Sequence, residues 1–284
     1  MSDFTYSRAH SLDEAVALLN EPGVRSRVLA GGTDLINQLR AGDAAFDCIV
    51  DVAHVPELRV IETNGCVTVG AAVSHAQIVE SEDLRTSAPL LVKACRQIGS
   101  VQIRNIATIG GNVVNAAACA DTLPALVCLD AEAIIVTGGG EQRVAVSDLV
   151  TGVNRTSLPE GGLVRAFTFT PSPASSRASF QRIGRRQAMA IARLSVAAMG
   201  ALDDSGAVSF VRVVPGAAFA RFRRIRVVEE MLVGRRPAPD LLAGAGSAMA
   251  DEFLAESGSR WSAPYKRQAI AALTERALAE VLGS

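Results

Sequence analysis

Arg27-Val-Leu-Ala-Gly-Gly-Thr-Asp-Leu35 reads as a buried strand over 27–30 that stops at Gly31-Gly32 and turns into a helix over 35–40, with Thr33 and Asp34 as its capping residues. Glycine permits positive φ and lets a bulky anion approach the backbone. The open N–H groups and positive dipole end of the following helix then favour phosphate. Upstream, Ser11-Leu-Asp-Glu14 is a capping box that predicts a helix running into 15–19 and stopped by Pro22-Gly23. Downstream, Cys48-Ile-Val-Asp-Val52 is a further strand. Residues 1–55 thus form a small β-α-β-α-β unit.

Beyond it, strands over 58–62 and 66–71 flank the hairpin dipeptide Asn64-Gly65. Helices follow over 89–98 and 122–130, then strands over 133–137, closed by Gly138-Gly-Gly140, and over 163–170. Pro171-Ser-Pro-Ala-Ser-Ser-Arg177 is a linker rich in Pro and Ser. After it, strands over 191–202 and 208–214 form an antiparallel pair around Asp203-Asp-Ser-Gly206, and helices are predicted over 226–233, 239–254 and 262–282. The fold class is α+β with an α/β N-terminal part, divided as 1–55, 56–172 and 177–284.

A second double glycine, Thr108-Ile-Gly-Gly-Asn112, lies inside the middle module, with Thr108 and Asn112 as side-chain donors. Neither loop is the G-x-G-x-x-G of a Rossmann site or a P-loop. Each alone reads as a tight strand-to-helix turn. Two together fit a diphosphate gripped from two sides.

Composition narrows the chemistry. The chain has 284 residues, and 28 Lys+Arg against 29 Asp+Glu leave a net charge of −1, which gives no electrostatic reason to expect nucleic acid or a membrane surface as partner. Apolar runs are too short to span a bilayer, and the start, Met1-Ser-Asp-Phe4, lacks the shape of a secretory signal, so a soluble cytoplasmic protein is expected. Five cysteines without a C-x-x-C pair and three dispersed histidines signal no metal or iron–sulfur site in this chain. Hydrolytic motifs are absent, and no catalytic side chain is assigned.

Five stretches together carry a resemblance. They are Leu29-Ala-Gly-Gly-Thr-Asp-Leu35, Gln102-Ile-Arg-Asn-Ile-Ala-Thr-Ile-Gly-Gly-Asn112, Ala120-Asp-Thr-Leu-Pro-Ala-Leu126, Phe180-Gln-Arg-Ile-Gly-Arg-Arg-Gln-Ala-Met-Ala-Ile-Ala192 and Ser259-Arg-Trp-Ser-Ala-Pro-Tyr-Lys-Arg267. In this order the sequence resembles the FAD-binding medium subunit of molybdenum hydroxylases, the xanthine dehydrogenase and carbon monoxide dehydrogenase type. The resemblance implies a two-subdomain FAD-binding fold of the vanillyl-alcohol-oxidase type, with a C-terminal α+β domain of a small antiparallel sheet and helices. It places the diphosphate on two loops, Val28, Leu29, Ala30, Gly31, Gly32, Thr33, Asp34 and Leu35, and Ala107, Thr108, Gly110, Gly111 and Asn112. It puts Asp121, with Thr122 beside it, near the flavin end, Leu163 as a backbone contact at a strand start, Arg182 near the adenine or flavin edge, and Ile98 facing the isoalloxazine. The plainer readings are an N-cap for Asp121, a solvated strand residue for Arg182 and core packing for Ile98.

The resemblance also implies a complex. Substrate, a purine or similar N-heterocycle or an aldehyde, is hydroxylated at a molybdenum cofactor on a large subunit. Electrons cross two [2Fe-2S] clusters on a small subunit to FAD in this chain, and leave to NAD or another acceptor. A stand-alone flavin oxidase of the same fold and a flavin-free assembly protein are the alternatives. One departure stands out: Arg221, Arg223, Arg224 and Arg226 fall within six residues where relatives usually carry prolines. They read as a solvated face, or as a docking site for an acidic partner.

Overall fold

In the computed structural model, which describes residues 4–42, 46–186, 189–258 and 262–283, the N-terminal unit folds around the apolar strand β3. Strands β1 (Thr5–Arg8), β2 (Ser26–Leu29) and β3 (Cys48–Asp51) pair in parallel in the order β1-β3-β2. All four residues of β3 are buried, as a central parallel strand requires. Helix α1 (Leu12–Leu19) is capped as its sequence predicts, with Ser11 Oγ accepting from the Glu14 N–H. Helix α2 (Leu35–Ala41) is not capped by a side chain: Asp34 already has helical φ and ψ, whereas a capping side chain needs an extended backbone.

The second sheet is antiparallel. Strands β4 (Ile61–Glu62) and β5 (Val67–Gly70) form the hairpin, with Gly65 at φ +78°. The strand expected from residue 58 begins only at Ile61, because Pro56–Leu58 makes a 3₁₀ turn that buries Leu58. Six helices then precede the next strand: α3 (His75–Glu80), α4 (Glu82–Ser87), α5 (Pro89–Arg96), α6 (Val101–Ile106), α7 (Ile109–Asn115) and α8 (Thr122–Cys128). Of these, α3, α4, α6 and α7 were not expected from periodicity. They are six or seven residues long, too short to display it. Each instead starts at a Ser or Thr whose side chain accepts an N–H three residues on: Ser74, Ser81, Ser100 and Thr108. Strands β6 (Glu132–Thr137) and β7 (Gly140–Ala145), helix α9 (Val146–Leu149), a β8–β9 ribbon (Val150–Gly152, Arg155–Thr156) and β10 (Leu163–Phe169) complete the module. Sheet order is β4-β5-β10-β6-β7.

The third sheet has one strand more than the expected pair. β11 (Arg177–Ile183) joins β12 (Leu194–Leu202) and β13 (Val208–Gly216) in the order β11-β12-β13. Ala178, Ser179 and Phe180 are consecutively buried, so β11 lacks the alternation by which a strand is read. Helices α10 (Arg226–Leu232), α11 (Pro239–Ser257) and α12 (Ala263–Leu282) cover the sheet. The largest apolar cluster runs from Val67 through Phe169 into Ala178, Phe180, Met199 and Phe222, so elements on both sides of the Pro-Ser segment share a core.

The arginine cluster is solvated on its outer side, with the Arg226 side chain 63% and that of Arg223 42% exposed, and each arginine also has a partner within the chain. Arg224 reaches Asp130 at 2.9 Å and Glu229 at 2.8 Å, Arg226 reaches Glu229 at 3.3 Å, Arg223 reaches Glu252 at 3.1 Å, and Arg221 donates to the Thr151 carbonyl at 3.1 Å. These bonds clamp α10 and α11 to the end of α8. Among the described residues no helix is long and apolar enough to cross a membrane. Gln187 and Ala188, residues 259–261 and the first three residues, all read above, lie outside the described part.

Candidate functional site

A cavity of about 730 Å³ opens between the parallel unit and the α3–α7 segment, within the range of roughly 300–1,000 Å³ found for small-molecule and cofactor sites. Except for Leu29 and Thr122, every residue named above as a site residue lines it. Leu29 packs instead with Leu35 and Ile49. The two glycine loops abut. A Cβ on Gly31 would lie 2.0 Å from the Ile106 carbonyl oxygen, and one on Gly110 would lie 2.7 Å from Ala71 Cβ, so only glycine lets these backbones touch.

The loops differ in what they offer. Among the described residues nothing accepts the backbone N–H groups of Gly31, Gly32, Thr33 or Asp34. In the second loop those groups are engaged: Ile109 N–H donates to Val73 O at 3.0 Å, Gly110 N–H to Ala71 O at 2.9 Å, Gly111 N–H to Thr108 Oγ1 at 3.1 Å and Asn112 N–H to Thr108 O at 3.0 Å. Gly110 and Gly111 are the first turn of α7, so this loop presents side chains in place of amides. Thr108 keeps its hydroxyl proton. Thr122 Oγ1 donates to Asn112 Oδ1 at 2.5 Å, which leaves the Asn112 Nδ2 protons to be donated elsewhere.

A buried ionisable group closes another part of the wall. Asp121 Oδ2 lies 3.2 Å from Arg182 Nε, with side-chain exposures of 5% and 9%, and no hydrogen-bond alignment. Asp121 makes no cap bond to α8, and Arg182, on β11, is buried rather than solvated. Arg182 Nη1 donates to the Gln97 carbonyl at 2.9 Å and Nη2 to the Ala190 carbonyl. Asp121 Oδ1 has no hydrogen-bond partner among the described residues. Burial pushes the Asp121 carboxyl up to about 7, with the Arg182 charge pulling the other way. Ile98, Gly99 and Ser100 continue the wall, held by Arg104 Nη1 donating to the Ile98 carbonyl at 2.8 Å.

His75 is a wall residue the sequence reading passed over. It is fully buried, and burial together with the Arg104 charge holds it down to about 4, so it is neutral. Its Nδ1 lies 3.6 Å from Cys95 Sγ, and its Nε2 has no partner among the described residues. The available signal was the Ser74–Gln77 capping box, which starts α3 at His75. Gly161 and Gly162 also line the cavity with no sequence pattern to mark them, as do Met189 and Ile191, which fall in the 180–192 stretch but are not singled out by it.

Comparison with known proteins agrees with this architecture. Residues 2–171 match the model of an FAD binding domain in molybdopterin dehydrogenase, and residues 178–281 match the CO dehydrogenase flavoprotein C-terminal domain. The glyceraldehyde dehydrogenase medium chain of Sulfolobus acidocaldarius is 30% identical, covering 98% of both chains. A putative xanthine dehydrogenase FAD-binding subunit of Escherichia coli is 29% identical over 100% of this chain and 98% of its own length. The fold is shared with a chain of carbon monoxide dehydrogenase from Hydrogenophaga pseudoflava (TM-score 0.92, 23% identity, 99% and 98% covered). It is shared equally with one of quinoline 2-oxidoreductase from Pseudomonas putida (TM-score 0.91, 24% identity, 99% and 98% covered). The chain belongs to the family of FAD-binding medium subunits of molybdenum hydroxylases, FAD-dependent oxidoreductase components.

Proposed function

We propose that this cleft holds FAD and that the chain is the electron-transfer subunit of a heterotrimeric molybdenum hydroxylase. The observation that carries the reading is the run of four amides, Gly31 to Asp34, that have no acceptor among the described residues and lie on a wall of a cofactor-sized cavity. Such a run suits a diphosphate. The rest of the wall fits the same group. Thr108 Oγ1 and Asn112 Nδ2 have protons to donate, Asp121 Oδ1 lacks a donor, and Ile98, Leu163 and Val28 supply apolar surface that excludes water. In this assignment the site comprises residues 28–35, Ala107, Thr108, Gly110, Gly111, Asn112, Ile98, Asp121, Leu163 and Arg182, with Thr122 acting through Asn112 and Leu29 through the packing beneath.

FAD, when bound, supplies the exchange between one-electron carriers and a two-electron acceptor. The chain's residues bind and orient it: amides for the diphosphate, Asn112 and Thr108 as further donors, Asp121 as acceptor. We assign modules 1–55 and 56–172 to the two sides of the cofactor and 177–284 to the C-terminal domain. The partners are an iron–sulfur small subunit with two [2Fe-2S] clusters and a large subunit with the molybdenum cofactor, where a purine, related N-heterocycle or aldehyde is hydroxylated. NAD or another electron carrier is the proposed acceptor, and the cytoplasm, which keeps the five free cysteines reduced, the proposed location.

The test is a visible spectrum of the chain expressed alone, and of the chain co-expressed with its partners, before and after FAD addition and desalting. A retained flavin band is the expected result. A folded chain with no band in either preparation refutes the proposal.

A further inference from the structure

We infer that His75 is a further contact for the cofactor: the Cys95 thiol holds its imidazole in the tautomer that carries the proton on Nε2, and that N–H is completed by a hydrogen-bond acceptor of the bound FAD. The inference rests on the FAD reading above and adds to it a residue outside both glycine loops. His75 opens α3, which is fastened to the second loop: its backbone N–H donates to Ala107 O at 3.0 Å, and Ser74 forms an antiparallel bridge to Thr108. The side chain is buried, and it borders the cavity. Its two nitrogens point in divergent directions and meet different surroundings. Nδ1 lies 3.6 Å from Cys95 Sγ on α5, whereas Nε2 has no partner among the described residues. Burial pushes the Cys95 thiol up, the Asp121 charge adding to the effect and the Arg104 charge opposing it, so the sulfur keeps its proton at neutral pH. An S–H donating to Nδ1 uses both groups. The other tautomer would aim Nδ1–H at sulfur, a weak acceptor, and leave the thiol proton idle. Nε2 therefore carries the ring proton.

A buried N–H without an acceptor is rare in a folded protein and is ordinarily completed by a ligand or an ordered water. The neighbouring side chains do not complete this one. Arg104 has donors only, and its Nη1 is engaged with the Ile98 carbonyl at 2.8 Å and the Gly99 carbonyl at 3.4 Å. Cys95 is taken up at the opposite nitrogen. What remains is the cavity, and FAD brings acceptors to it in the diphosphate oxygens and the carbonyls of the flavin ring. Burial, with the Arg104 charge adding to it, keeps the imidazole neutral at pH 7, so His75 supplies a directed donor without a charge. Cys95 acts through His75, as a positioning residue.

The experiment uses flavin-free full-length chain labelled with ¹⁵N-histidine, whose imidazole signals come from His10, His54 and His75 alone. The His75 signals are those lost in His75→Gln. At pH 7 the wild type should show a single Nε2–H tautomer for His75, and FAD should move its Nε2–H proton downfield. ADP and riboflavin each carry one part of the acceptor set: a shift with ADP puts the contact on the diphosphate, and a shift with riboflavin puts it on the flavin ring. In a fluorescence titration His75→Phe, a ring without an N–H, should bind FAD about tenfold more weakly. His75→Gln keeps a donor near the Nε2 position and should stay within about threefold of wild type. Cys95→Ala should show both tautomers and an affinity between those two variants. An Nδ1–H tautomer in the wild type, or an Nε2–H signal that stays in place while FAD binds, overturns the inference and leaves the FAD reading intact. A wild-type chain that takes up no FAD overturns both.

Discussion

An alanine at Gly31 drives a methyl group into the backbone of the neighbouring loop. Its Cβ would meet the Ile106 carbonyl oxygen at 2.0 Å, the Ile106 carbonyl carbon at 2.7 Å and Ala107 Cα at 2.8 Å. All three are backbone atoms, so no rotamer relieves the overlap. Restoring ordinary contact near 3.5 Å requires the loops to part by roughly 1.5 Å. Over-packing of this kind costs about 1–3 kcal/mol, which for a chain of this size lowers Tm by roughly 2–12 °C. The same shift moves the amides of Gly31 to Asp34. A 2.9 Å hydrogen bond lengthened by that amount is no longer one. Loss of two charge-assisted bonds, at about 1.5 kcal/mol or more each, weakens FAD binding about 100-fold. Fluorescence titration with FAD, beside a circular-dichroism melt, reads both effects. Gly138→Ala is the control, since a Cβ there meets nothing within 4 Å, and its Tm and FAD affinity should match wild type. Gly31→Ala with a lowered Tm but FAD affinity within threefold of wild type would refute the assignment of these amides to the diphosphate. A flavin-free assembly protein predicts instead no FAD affinity in either chain, with the substitution changing Tm alone. An unchanged Tm would refute the tight loop contact itself.

Further expectations follow from the interior. Thr122→Val removes the hydroxyl that fixes the Asn112 amide, and should weaken FAD binding about tenfold in the same titration. Glu229 is 4% exposed, pairs with Arg224 and Arg226, and accepts from the Val213 N–H at 3.0 Å. Glu229→Ala leaves the Val213 amide without its acceptor and Arg224 with Asp130 alone, and urea denaturation should show a loss of about 1–3 kcal/mol. His75, held down to about 4 from 6.5, binds fewer protons folded than unfolded between those values. The stability it contributes is therefore present above pH 6.5 and lost as pH falls toward 4. The loss is about 3 kcal/mol in denaturation curves, and His75→Asn should remove that part of the pH dependence.

Much of the scaffold was legible because it rests on signals local to the chain. Ser11 and Glu14 start α1, Asn64-Gly65 turns the β4–β5 hairpin, and the run 48–51 is a buried parallel strand. What stayed hidden was short or non-local. The helices α3, α4, α6 and α7 have caps but too few residues for a period, and reading Ser74, Ser81, Ser100 and Thr108 as caps would have found all four. The pairing of Asp121 with Arg182, or of Arg224 with Asp130, joins residues far apart in sequence, and no local pattern encodes it. The two double glycines make the point most sharply. By letter they are nearly the same motif, and as sequence each offers glycine freedom and open amides. What separates them is where the N–H groups go. Those of Gly110 and its neighbours are taken by Ala71, Val73 and Thr108, while those of Gly31 to Asp34 meet no acceptor among the described residues. Whether a glycine loop can grip an anion is thus decided by the strand packed behind it, here the end of β5. A motif names the backbone's freedom, and the tertiary fold decides whether its hydrogen bonds are still available to a ligand.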